Sequence, residues 1–205
     1  MDAPPSPPNP KNLDAWASYA LQYLKEQLRE DAPRSLGPGS VFPNSPLDGE
    51  GAVVIFPFES KHGAAADPNY YVAVGASQAN YYPAYGLSVQ EAYELHLGTR
   101  FMLVMGVAQR PPRPEDEFEL EREARRVVER VAPDATLADL ELAASFDVEG
   151  QLHAVIKCHV AGKPVYIMAA DAPMGFSLKT DLPAPVAYRL HIGHALRHEP
   201  EPRDD

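Results

Sequence analysis

Proline punctuates this chain more than any other residue, and its placement limits what each segment can become. The 22 prolines cluster at both ends and in three internal breaks. Each one removes a backbone donor and fixes its own φ, so helix interiors and central strands are confined to the windows between them. Residues 2–10 carry five (Pro4, Pro5, Pro7, Pro8 and Pro10), which predicts an extended, polyproline-like tail over residues 1–11. The P-x-x-P spacing there lacks the flanking basic residue that SH3-type grooves prefer, so a solvated tail is expected.

The first window opens at Asn12. Leu13, Trp16, Ala17, Ala20, Leu21, Leu24 and Leu28 follow the spacing of one apolar helical stripe, with Lys25, Glu26, Arg29 and Glu30 on the other side. Pro33 ends it. A Pro/Gly/Ser loop then runs to Glu50, and Ala52–Phe56 reads as a buried strand, with a second from Tyr70 to Gly75. Residues 76–87 read as a turn-rich loop. Ser88 and Glu91 stand three apart as a capping box, so a short helix is expected to Leu97, stopped by Gly98. Phe101–Val107 is apolar on both faces and reads as a central strand.

Gln109–Pro114 holds three prolines and reads as an internal linker. Beyond it Leu120, Ala124, Val127, Val128 and Val131 mark a second striped helix, acidic in its first turn and basic in its last, as the helix dipole favours. Three strands follow, at 140–147, 151–160 and 164–170, separated by connections short enough for hairpins. Val186, Tyr188, Leu190 and Ile192 alternate with Ala187, Arg189 and His191, the period of a half-buried strand. The expected fold is therefore α+β. A mixed or mainly antiparallel sheet of about six to seven strands would carry two to three helices on one face. It would form a single domain over residues 12–195, with a flexible acidic tail at 196–205.

Charge narrows the function. With 18 basic and 29 acidic residues the chain carries −11, which opposes phosphate backbones and anionic membrane surfaces. Nucleic acid and membrane are not expected partners; a protein with a basic surface is, and homo-oligomerisation is left open. The lone Cys158 cannot close an internal disulfide, which points to the reducing cytoplasm. Neither a G-x-G-x-x-G nor a G-x-x-x-x-G-K-[ST] phosphate loop occurs, and no cofactor or metal is expected.

Three groups of residues are candidates for a site. Tyr70, Tyr71, Tyr81, Tyr82, Tyr85 and Tyr93 lie in a segment that also offers Ser77, Gln78 and Asn80. Aromatic planes beside amides and hydroxyls suit a recognition surface. On the strand 151–160, period 2 sets His153, Lys157 and His159 in a row on a polar face. Ala154, Ile156 and Cys158 face the core, which makes the thiol a small buried hydrophobe. His191, His194 and His198 would share a face on a helix, as metal binding needs, but the alternation around them predicts a strand that scatters them. Tyr93–Gly98 and Tyr188–Gly193 resemble each other, yet one falls in a predicted helix and the other in a predicted strand, which marks the likeness as coincidence. The expected function is a non-catalytic interaction protein, an acidic adaptor, chaperone-like partner or inhibitor. Its binding surface would be Gln78, Asn80, Tyr81, Tyr82 and Tyr85, with His153, Lys157 and His159 as the second choice. The alternative is a small-molecule or metal-binding enzyme domain with a His/Tyr pocket.

Overall fold

A computed structural model describes residues 5, 8, 11–59, 70–76, 78–110, 114–170 and 175–198. The predicted tails at 1–11 and 196–205 thus lie largely outside the described residues. The chain divides into two compact units, Met1–His96 and Leu97–Asp205.

In the first unit, α1 (Leu13–Leu28) forms where the apolar stripe predicts it. Four antiparallel strands follow in sequential order: β1 (Ser40–Pro43), β2 (Ala52–Phe58), β3 (Tyr70–Gly75) and β4 (Gln78–Pro83). Trp16, Ala20 and Leu24 pack on Val54, Phe56, Phe58, Val72 and Val74, the alternate residues of β2 and β3 that share one face. The capping box holds: the Ser88 amide donates to Glu91 Oε2 at 2.9 Å, and the Glu91 amide to Ser88 Oγ at 3.3 Å. It opens α2 (Val89–Val104), whose Tyr93 stacks on Phe42 at 4.4 Å. Phe42 neighbours Val41, which packs on the α1 side, so it lies on the opposite face of the sheet.

The second unit contains β5 (Ala108–Arg110), α3 (Pro114–Val131), β6 (Leu137–Val148), β7 (Gln151–Val160), β8 (Lys163–Ala169), β9 (Gly175–Ser177) and α4 (Ala184–His198). Strands β6 to β9 form a sequential antiparallel meander, extended at its edge by the three-residue β5. The β6–β7 and β7–β8 turns place Glu149-Gly150 and Ala161-Gly162 at positive φ, the geometry that matches strand twist in two-residue hairpins. Ala124, Val127 and Val128 pack on Ala154, Ile156, Cys158, Ile167 and Ala169. Tyr188 of α4 stacks at 4.2 Å on Phe146, on the other face.

Four expectations are corrected. The fold is α+β, but its strands form two separate antiparallel sheets rather than one of six or seven, and helices cover both faces of each. Gly98 does not stop α2: Phe101–Val104 is helix, not strand, because an apolar run has no periodicity to separate the two. The residues 186–192 are helix as well. Their strand-like alternation is accidental, since Ala187 is as buried as Val186 and Tyr188. Finally, the proposed loop at 76–87 carries strand β4.

With both segments helical, the likeness of 93–98 to 188–193 is not coincidental. Apart from β5, the chain runs twice through one order, α-β-β-β-β-α, from α1 to α2 and from α3 to α4, with matched registers. Residues 71–98 align without a gap on 166–193, with identity at Tyr71/Tyr166, Leu87/Leu182, Ala92/Ala187, Tyr93/Tyr188, Leu95/Leu190, His96/His191 and Gly98/Gly193. Tyr71 lies opposite Tyr82 as Tyr166 lies opposite Ser177, and Val54 opposite Val74 as Ala154 opposite Ala169. Phe42 lies opposite Val53 as Phe146 lies opposite His153. The Tyr71 hydroxyl donates to the Leu87 carbonyl at 2.8 Å, and the Tyr166 hydroxyl to that of Leu182 at 3.0 Å. Matched ring stacks, registers and hydrogen bonds make the two units one structural repeat.

Candidate functional site

The tyrosine-rich segment is an edge strand. β4 pairs with β3 on one side and has no strand on the other among the described residues. Period 2 parts its two tyrosines: Tyr81 lies opposite Val72 on the α1 side, and Tyr82 opposite Tyr71 on the α2 side. Tyr82 is buried, with its hydroxyl 3.0 Å from Nδ1 of the fully buried His96. Tyr81 is 37% exposed. Gln78 donates from Nε2 to Asn44 Oδ1 at 2.8 Å, and Asn80 lies opposite Ala73, half-buried. Tyr85 sits in the turn before α2 at φ +47°, a conformation that costs a bulky residue energy. Of the other tyrosines, Tyr70 stacks on Phe58 at 5.4 Å, while Tyr71 and Tyr93 hold the internal contacts described above. Ser77 lies outside the described residues. The segment therefore splits into structural rings and one outward patch, with Tyr81 at its centre.

The row on β7 does not act as one surface. His153 turns under α4, its Nδ1 3.0 Å from the hydroxyl of the fully buried Tyr188. Burial pushes that hydroxyl far above the ordinary tyrosine range, so it stays protonated. Val155, next on the same face, is fully buried, and Lys157 is exposed opposite Glu141 on β6. His159 lies 3.3 Å from Asp139 Oδ2, beside an irregularity in β6. From His153 to His159 a strand extends by about 20 Å, too far for joint action on one small ligand.

Cys158 is buried under α3, and desolvation pushes its thiol up to about 11. A nucleophilic cysteine needs the reverse shift, so the core role predicted for it holds. The C-terminal histidines, in contrast, are brought onto one helix. His194 and His198 stand one turn apart with ring centroids at 4.5 Å, both exposed. His191 is half-buried, and burial first, then neighbouring His194, lowers its pKa.

The residues that sequence reasoning missed are Tyr166 and Tyr188. Extending the 93–98 likeness backwards at constant spacing pairs Leu87 with Leu182 and Tyr71 with Tyr166, which was the available signal. Among the described residues no helix is long and apolar enough to cross a membrane. No protein-family profile, no curated protein and no solved structure matches this chain.

Proposed function

We propose that the protein is a non-catalytic interaction module that takes an extended segment of a partner protein along the outer edge of β4. The observation that carries this reading is the position of Gln78–Pro83 at a sheet edge with the Tyr81 ring exposed beside it. An edge strand presents backbone N–H and C=O groups that an incoming strand satisfies, and side chains alternating along it supply selectivity. Tyrosine adds contact area with little rotamer entropy to lose. The net charge of −11 favours a basic partner segment through long-range attraction. Packing occupies several of the groups that an enzyme reading would recruit: Tyr82 with His96, Tyr188 with His153, and Cys158 in the core. The lone buried thiol suits a reducing compartment, the cytoplasm.

The test is affinity purification of the full chain from its native source, beside Tyr81→Glu and Asn80→Pro variants. A partner recovered near equimolar with the wild type and lost with both variants supports the reading, provided circular dichroism shows both variants folded. Recovery that is equal with all three chains, or no stoichiometric partner at all, overturns it.

A further inference from the structure

The repeat separates what the shared frame requires from what one unit adds. His96 and His191 occupy equivalent helix positions, the first fully buried and the second half-buried, so a histidine there belongs to the frame. The next positions diverge. Thr99 and Leu103 of α2 correspond to His194 and His198 of α4. The frame is thus built with no histidine at these places in one copy of the repeat and with two in the other. Neither ring is needed in a core, since both are exposed.

The pair has a geometry with chemical meaning. Residues four apart on a helix share a face, and two histidines at that spacing are the helical element of zinc sites. Their ring centroids are 4.5 Å apart, and a ring nitrogen of each lies within 4.8 Å of the other's. Two ligands at the usual zinc–nitrogen distance of about 2.0–2.1 Å stand a little over 3 Å apart, which small side-chain rotations supply. His198 is the last residue of α4, where the partial negative charge of the helix end favours a cation. Arg197 opposes it, while the net −11 of the chain acts in its favour.

We propose that His194 and His198 form a bidentate site for a divalent transition metal, zinc foremost, at the C-terminal end of α4. Neutral imidazole selects zinc, copper and nickel over magnesium or calcium, which prefer oxygen donors. Two protein nitrogens leave coordination positions for water or for a ligand brought by a partner. The site is independent of the β4 edge.

Isothermal titration of the chelator-treated full chain with zinc, and separately with magnesium, tests this. One zinc per chain is expected, with no magnesium heat. Residues that only orient a metal ligand change affinity by about 10–100-fold, so loss of either ligand weakens binding at least about tenfold. His194→Ala and His198→Ala should each do so, while His159→Ala leaves binding unchanged. Proton NMR should show the imidazole signals of His194 and His198 shifting first on zinc addition. The two rings are exposed, so the metal-free variants should unfold at the wild-type temperature. Zinc affinity that is equal in wild type and the double variant, or weakened as much by His159→Ala, overturns the proposal.

Discussion

Replacing Gly98 by alanine sets two physical rules against each other in the second unit. Gly98 lies inside α2, where alanine is favoured over glycine by about 0.8–1.0 kcal/mol through backbone entropy. On propensity alone the variant gains stability. The structure reverses the sign. A Cβ built on Gly98 overlaps the Arg189 carbonyl oxygen, and lies 2.6 Å from the carbonyl carbon and 3.0 Å from Cα. Ordinary contact begins at 3.4 Å, and the obstruction is main chain within α4, which no rotamer change removes. The two helices would have to part by more than about 1 Å along a packed contact, which puts the overpacking at the upper end of about 1–3 kcal/mol or beyond. Subtracting the propensity gain leaves a net loss of about 2 kcal/mol or more, a fall of at least about 4–8 °C in unfolding temperature for a chain of this size. Urea and thermal unfolding followed by far-ultraviolet circular dichroism measure it. Adding Arg189→Ala should give no rescue, because the clash is with backbone. A Gly98→Ala chain as stable as wild type, or one restored by Arg189→Ala, would refute the close approach.

Three further outcomes follow from buried polar groups. Tyr71→Phe and Tyr166→Phe remove matched hydrogen bonds to Leu87 and Leu182, so each should lower stability by about 1 kcal/mol in urea denaturation; the two bonds share no partner, so the losses should add. Cys158, with its thiol at about 11 and buried under α3, should resist Ellman's reagent at pH 8 until urea unfolds the chain; rapid stoichiometric labelling of native protein would contradict that placement. His191 has a folded-state pKa below its ordinary 6.5, so the unfolded chain takes up its proton first. Its contribution is complete above pH 6.5 and is lost as pH falls through that value towards the folded pKa. Urea midpoints should therefore drop more steeply between pH 7.5 and 5.5 for wild type than for His191→Asn.

The parts of the fold legible in the sequence are those with one apolar and one polar face. The stripe Trp16–Ala20–Leu24 and the alternation Ala154–Ile156–Cys158 each announce their element and their buried side. The α2 and α4 segments fail that test because packing surrounds them: Tyr188, Ala187 and Leu190 are all buried around α4, so its apolar residues show no stripe. Gly98 misled for a related reason, since a glycine reads locally as a stop when its role is to admit another backbone. At the candidate site the tyrosines were legible as a cluster, but pairing decides their fates. Only the register of β4 on β3 turns Tyr81 outward and Tyr82 toward His96.

The repeat also shows which polar contacts the frame tolerates exchanging. Each unit holds a tyrosine–histidine hydrogen bond, but between different elements. In the first, Tyr82 comes from β4 and His96 from α2; in the second, His153 comes from β7 and Tyr188 from α4. The counterpart of Tyr82 is Ser177, too short to repeat the first bond, and that of His153 is Val53, which has no side-chain nitrogen to offer Tyr93. What stays fixed is the aromatic stack of the helix tyrosine on Phe42 or Phe146, and the Tyr71 or Tyr166 bond to the loop before the helix. Selection for a stable frame accounts for the fixed set, and the polar pairs can move within it at little cost. It does not account for His194 and His198 where α2 has Thr99 and Leu103. Both histidines are exposed, where folding makes few demands, and that is the physical ground of the metal site proposed for them.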